Sequence, residues 1–239
     1  MTPLPPGGLL LPPLIPGVLL KRYKRFLADV RLETGETVIA HCPNSGSMKG
    51  SAEPGRPVYL SRPQNLKRKL LYTWELIQMP TSLVGVNTLL PNRLVFEAIS
   101  AGRFVSIRGY SKMVREVGIG NHSRIDIMLS GSGIPPCYVE VKNCTWVEEG
   151  IAQFPDAVTE RGRKHMAALQ RLSEQGCRAI VFFLIQRMDA QVFRAAEGVD
   201  PVYARALKQA QGAGVEVMAY DVALNLSRIR IRGPVAVEL

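Results

Sequence analysis

Two short segments, Ser123-Arg124-Ile125-Asp126-Ile127-Met128-Leu129 and Cys137-Tyr138-Val139-Glu140-Val141-Lys142-Asn143, place single charges inside otherwise apolar runs. Side chains alternate along a strand, so Glu140 and Lys142 share one face while Val139 and Val141 share the other. Asp126 is likewise isolated between Ile125 and Ile127. Charges in such surroundings are costly unless paired or coordinated. The turn Gly131-Ser132-Gly133 folds the two strands into a hairpin and brings Asp126 beside Glu140. Two hard oxygen ligands and an ammonium then meet in one place. That set suits a divalent cation holding a phosphodiester, Mg²⁺ or Mn²⁺, with Lys142 next to the attacking water. An E-x-K triplet alone is expected about once by chance in a chain of this composition, and a cross-strand ion pair on a solvated face is the ordinary alternative. An acid on one strand and E-x-K on the next, both with apolar flanks, is the more informative combination. Glu97, on the preceding helix, is a candidate third carboxylate, with a solvated helix residue as the competing reading.

The elements that must position these groups alternate helix and strand. Pro91–Ala101 carries Leu94, Val95, Ala98 and Ile99 at helical spacing and stops at Gly102. A long β stretch, Phe104–Val117, precedes Arg124–Leu129 and Cys137–Lys142. Thr159–Gln175 reads as an amphipathic helix with Met166, Leu169 and Leu172 inward. Arg178–Ile185 (RAIVFFLI) is apolar throughout, which predicts a strand buried on both faces. Asp200 as N-cap and Pro201 at the first position start a helix to about Gln211, and Val215–Tyr220 is a last strand. The order α-β-β-β-α-β-α-β implies a mixed sheet flanked by helices. Residues 1–82 read instead as strands: Val18–Leu32, Glu36–His41, Pro57–Ser61, Leu70–Gln78 and Ser82–Val86, separated by Gly, Pro and Asn turns. Five short strands suit a small closed barrel of the OB type, and an SH3-like barrel fits the pattern nearly as well.

With 239 residues, 46% apolar and 21% charged, the chain is neither disordered nor a rod. Its charge is the outlier: 30 Lys+Arg against 20 Asp+Glu leave +10, a surplus that favours polyanions such as DNA. The excess is denser before residue 83, with eleven basic and five acidic residues. Lys21-Arg22-Tyr23-Lys24-Arg25-Phe26 interleaves cations with aromatic rings, suiting phosphate contacts and base stacking, against the alternative of a charge-protected edge strand. Lys67, Arg68 and Lys69 form a second basic run. Arg161, Arg163, Lys164 and His165 crowd the first turns of a helix, where cations oppose the macrodipole, so Arg161 and Lys164 are candidates for an anion, with simply solvated side chains as the equal alternative. Asn44–Lys49 is a loop of small polar residues that either cradles a phosphate or simply turns the chain. The first twenty residues carry no charge, and Pro3, Pro5, Pro6, Pro12, Pro13 and Pro16 interrupt any helix there. Residues 1–12 are expected to be a flexible, Pro-rich leader, with neither a secretion signal nor a membrane span. Cys42, Cys137, Cys144 and Cys177 form no C-x-x-C pair and read as buried thiols in a reducing, cytoplasmic setting. No P-loop appears, no G-x-G-x-x-G follows a strand, and no helix-turn-helix is recognisable, which leaves a small-molecule enzyme and a conventional transcription factor without support.

The D-x13-E-x-K arrangement and the element order resemble the PD-(D/E)XK nuclease fold. Longer stretches resemble the sugar fermentation stimulation protein A (SfsA) family: KRYKRFLADV (21–30), AHCPNSGSMKG (40–50), KRKLLYTWEL (67–76), VGVNTLLPNRLVFEAI (84–99), SRIDIML (123–129), YVEVKN (138–143) and FPDAVTERGRKH (154–165). The resemblance runs from about Pro13 to the C-terminus. It implies an OB-type barrel over residues 13–82 that binds nucleic acid, then a nuclease-like α/β domain over 83–239, and a DNA-binding role linked to sugar-utilisation genes. Carried over by position, Asp126 and Glu140 are metal ligands and Lys142 the catalytic lysine. Two functions follow: a sequence-nonspecific DNA-binding protein with a Mg²⁺- or Mn²⁺-dependent phosphodiesterase site, or a non-catalytic regulator that keeps the nuclease fold. DNA is the expected partner, with no membrane and no small-molecule cofactor, and a homo-oligomer is left open.

Overall fold

The computed structural model describes residues 7–62, 68–119 and 123–239. The chain enters through β1 (Leu9–Leu10), which pairs antiparallel with a strand near the other end, Leu9 opposite Ile229. Leu9 and Leu11 are buried in the same cluster as Phe182. The end of the expected leader is therefore core.

Next, β2 (Leu14–Tyr23), β3 (Leu27–Leu32), β4 (Thr37–His41), β5 (Pro57–Ser61), β6 (Thr73–Gln78) and β7 (Leu83–Gly85) form one sheet in the order β4-β3-β2-β5-β6-β7. His41 pairs with Thr73 across β4 and β6, which closes the sheet into a barrel. Alternation places Ala28, Val30 and Leu32 of β3 inside around Trp74. The expected run Val18–Leu32 is two strands, because Lys24 and Arg25 take left-handed backbone conformations and turn the chain. That adds a sixth strand to the expected five. β6 is buried on both sides: Trp74 and Ile77 face the barrel core, whereas Leu76 joins Leu83 in the core of the second half.

That second half begins with α1 (Leu90–Ser100) and continues through β8 (Lys112–Ile119), β9 (Ser123–Gly131), β10 (Ile134–Cys144), β11 (Trp146–Glu148) and β12 (Ile151–Phe154). It then runs through α2 (Glu160–Glu174), β13 (Arg178–Ile185), β14 (Val192–Ala195), α3 (Pro201–Gly212), β15 (Glu216–Leu224), β16 (Arg228–Pro234) and β17 (Ala236–Glu238). The main sheet has the order β1-β16-β15-β13-β10-β9-β8, and β11-β12-β14-β17 form a smaller one. β13 runs parallel to both of its neighbours, as its apolar sequence requires. Its Ile180, Phe182 and Leu184 pack towards α1, while Val181, Phe183 and Ile185 pack with Met166 and Leu169 of α2 and Tyr203 and Leu207 of α3. Burying each large apolar side chain contributes about 1.5–3 kcal/mol, so this strand anchors both layers. The mixed sheet with flanking helices is as expected.

Two stretches differ. Phe104–Val117 is not one strand: Val105–Ile107 is a 3-10 turn, Gly109 has φ +93°, and β8 starts only at Lys112. Val215–Tyr220 is not the last strand, since the chain turns back at Asn225 into β16 and β17. Among the described residues no helix is long and apolar enough to cross a membrane.

Candidate functional site

The hairpin β9–β10 sets the centre. Its ladder pairs Cys137 with Leu129 and Val139 with Ile127. One step further the carboxylate of Asp126 takes over from the backbone: its Oδ2 accepts from the Val141 amide at 2.8 Å, and its Oδ1 from Asn92 Nδ2 of α1 at 2.6 Å. Glu140, 2% exposed, lies on the face of β10 that α2 covers. Lys142 Nζ donates to its Oε1 at 2.7 Å, and His165 Nδ1 of α2 contacts the same oxygen. Lys142 Nζ is also 3.1 Å from that imidazole nitrogen. Glu140 Oε2 is buried with no hydrogen-bond partner.

The two carboxylates answer burial in opposite ways. Desolvation and the nearby Glu140 charge push Asp126 up to about 6, against the lowering by the Val141 amide and Lys142. Burial also works to raise Glu140, but the His165 hydrogen bond and the Lys142 ammonium outweigh it and hold that carboxyl below its usual value. An ionised carboxylate with a free, buried oxygen beside a second carboxyl of raised pKa fits a hard divalent cation. Among the described residues no group of three or more His, Cys, Asp or Glu is disposed to hold a metal. A divalent ion held by these two carboxylates would need its remaining ligands from water, backbone or phosphate.

Glu97 does not join them. It pairs with Arg93 one turn back at 2.9 Å and borders a hollow formed with Gly8 and Arg103, away from the face of α1 that carries Asn92. Asn92 and His165 are the site residues that sequence spacing missed. His165 lay within the cationic cluster of α2, but its contact with Glu140 depends on how α2 is rotated over β10.

The basic residues divide. Arg22 is consumed within the chain, donating to the carbonyls of Arg25, Asn44 and Gly46 at 3.0, 2.9 and 2.8 Å. It is a structural residue that braces the Asn44–Ser47 loop, not a free phosphate contact. Lys21 pairs with Asp29 at 3.3 Å, and the Tyr23 hydroxyl donates to the same carboxylate at 3.0 Å. Lys24 and Arg25 are exposed at the β2–β3 turn beside Phe26, which is 51% exposed. Arg68 and Lys69 are exposed, and Lys67 lies outside the described residues. On α2, Lys164 pairs with Glu160 at 2.8 Å, Arg163 with Asp200 at 3.6 Å, and Arg161 Nε donates to His165 Nε2 at 3.4 Å. The crowded cations thus each have a local partner.

A family profile described as the sugar fermentation stimulation protein RE domain matches residues 89–228, and one described as the SfsA N-terminal OB domain matches residues 20–86. The chain belongs to the sugar fermentation stimulation protein family. A homolog in Acidithiobacillus ferrooxidans is 49% identical over 222 residues, covering 92% of this chain and 96% of that one. A Geobacter sulfurreducens homolog is 51% identical over 219 residues, covering 92% and 94%. The solved structure of Pyrococcus furiosus SfsA in complex with Ca²⁺ superposes with a TM-score of 0.88 at 28% identity, covering 97% of this chain and 98% of that one. The OB barrel followed by a mixed-sheet domain is therefore a family architecture.

Proposed function

We propose that this protein binds DNA and hydrolyses its phosphodiester bonds with a divalent cation held by Asp126 and Glu140. The observation that carries the reading is the pairing of Lys142 with a buried Glu140 whose second oxygen is free, one strand from Asp126. The Ca²⁺ in the solved SfsA relative supports a divalent cation. When bound, the ion polarises the phosphate and lowers the pKa of an attacking water. Glu140, held below its usual pKa, would be one carboxylate ligand. Asp126, fixed by Asn92 and the Val141 amide, supplies the second oxygen. Lys142, held by Glu140, is positioned to orient the nucleophile and to stabilise charge that grows on the phosphate oxygens. Lys24, Arg25, Arg68 and Lys69 give sequence-independent phosphate contacts on the barrel. The thiols of Cys42, Cys137 and Cys144 are buried and unpaired, which agrees with a reducing cytoplasm.

A non-catalytic DNA-binding regulator is the second reading. It is favoured by one observation: Lys142 and His165 already satisfy Glu140 Oε1, as in a purely structural buried ion pair. Mixing the pure protein with labelled single- and double-stranded DNA, with and without Mg²⁺ or Mn²⁺, separates the two. Metal-dependent cleavage supports the first reading. Binding alone, with neither cleavage nor metal-induced stabilisation, supports the second.

A further inference from the structure

Beside Lys142 the barrel and the second half enclose a slot of about 350 Å³ whose walls include Ser45, Gly46, Thr88, Lys142, Asn143 and Arg161. Three hydrogen bonds tie its barrel side to the second half. Ser47 Oγ donates to the Asp156 carbonyl at 2.7 Å, the Met48 amide donates to Asp156 Oδ2 at 2.9 Å, and Thr88 Oγ1 donates to the Pro43 carbonyl at 2.9 Å. Lys49 Nζ lies 3.9 Å from the centre of the Trp146 ring across the same junction. Gly46 packs closely there, since a Cβ would lie 3.0 Å from Asp156 Oδ2 and from Asn44 Oδ1. A second hollow of about 400 Å³, bordered by Arg25, Ser47 and Val158, lies on the far side of Ser45–Gly46.

The slot is built to read an anion next to the cleavage centre. Arg161 is exposed into it and uses Nε to donate to His165, so its terminal nitrogens are aimed by the imidazole that also touches Glu140. Asn143 Oδ1 accepts from Gln186 Nε2 at 2.8 Å, which leaves its own amide N–H groups for a ligand. Asp156 is the opposing acid, and one of its oxygens is already held by the Met48 amide. The volume suits one small ligand unit. A hollow of about 350 Å³ is too small for a duplex, whereas an unpaired nucleotide offers a phosphate to Arg161 and Lys142 and a sugar edge to Asn143 and Ser45.

We infer that the slot between the barrel and the second half takes an unpaired nucleotide adjacent to the scissile phosphate. The substrate class is therefore a single strand or a duplex with a single-stranded tail, and continuous duplex is disfavoured. The inference rests on the nucleic-acid reading above and adds to it which form of DNA reaches the centre.

The test measures binding of the full chain in EDTA to labelled blunt duplex, tailed duplex and single-stranded oligonucleotide of matched length. Wild type should bind the tailed duplex and the single strand about tenfold or more tighter than the blunt duplex, a difference of about 1.4 kcal/mol or more. Ser45→Trp, at an exposed position, fills the slot, and Arg161→Gln removes its free cation. Both should lose that preference, and Ser45→Trp should do so while keeping blunt-duplex affinity and melting temperature. Equal binding of blunt and tailed DNA by wild type, or a preference that survives Ser45→Trp, overturns the inference. Cleavage in Mn²⁺ is scored separately. A protein that prefers tails but cuts nothing keeps the slot and loses the phosphodiesterase, and one that cuts blunt and tailed DNA equally does the reverse.

Discussion

The most exposing perturbation of the centre is Asp126→Asn, because it should make the metal-free protein more stable. Burial and the Glu140 charge raise Asp126 to about 6 from an ordinary 3.8. At about 1.4 kcal/mol per unit, the ionised carboxylate costs the folded state roughly 3 kcal/mol, and its partial exposure reduces that to about 2. The sign follows from linkage. The folded state holds the proton more tightly than the unfolded chain, so the penalty is full above pH 6, shrinks as the pH falls towards 3.8, and vanishes below it. Asparagine removes the charge but must place an NH₂ where one of two accepting oxygens stood. Turning that NH₂ towards Asn92, whose amide can flip to present its oxygen, keeps the Val141 amide satisfied at a cost of about 1 kcal/mol. The net gain is about 1 kcal/mol, or roughly 2–4 °C in a chain of this size. Scanning calorimetry in EDTA at pH 7.5 should show that rise, and at pH 4 the rise should disappear. Saturating Mn²⁺ should reverse the order. At about a hundred times its Kd the ion adds about 2.7 kcal/mol to wild type and little to the variant. If Asp126→Asn melts lower than wild type in EDTA at pH 7.5, the carboxylate is a net stabiliser, and the argument from its raised pKa is wrong.

Lys142→Gln keeps a neutral donor for Glu140 and should leave the Mn²⁺-induced melting shift intact while cleavage falls by about a hundredfold or more, read by single-turnover assay. Replacing Lys24, Arg25, Arg68 and Lys69 together by Ala should weaken binding to all sequences alike and flatten the plot of log K against log salt by up to about 3.6, at about 0.9 per phosphate contact. Arg22→Ala should instead lower the melting temperature by a few degrees, because two half-buried carbonyls and one exposed one lose their donor. A fragment ending at Ser82 loses β7 and uncovers Leu76, so it should show no cooperative melt in circular dichroism. A sharp transition there would mean that the barrel holds without the second half.

Legibility followed the range of the interactions. RAIVFFLI announced its own position because burial on both faces leaves no polar residue to alternate, and Asp200–Pro201 announced its helix because Asp200 Oδ1 caps the Tyr203 amide three residues on. Asp126, Glu140 and Lys142 were legible because a hairpin joins neighbours in sequence. Leu9 was not, since its partner Ile229 lies at the other end of the chain and its flanking prolines signal an extended leader. Arg22 was misread for a related reason. Its carbonyl acceptors exist only once the Asn44–Ser47 loop folds back over it. Glu97 sits one residue from Phe96 on α1, yet rotation along the helix turns it from the face that Asn92 occupies.

The division of labour between the carboxylates follows from what each one touches. Asp126 has two neutral donors and a negative neighbour, so burial dominates and its proton is retained up to about pH 6. Glu140 is more deeply buried but has an ammonium and an imidazole on one oxygen, so it remains charged. Paired groups whose environments drive their pKa values apart generally take different roles. Under the proposed function Glu140 would be the constant anchor, and Asp126 a ligand that must lose its proton before an ion is fully held. Metal-induced stabilisation should therefore strengthen as the pH rises through 6 and then level off, while Lys142 keeps its bond to Glu140 throughout. A centre whose only task was to hold α2 on the sheet would need the Glu140 ion pair alone. A second carboxylate kept close to the first and poised near neutrality is a cost that the proposed shared cation would offset.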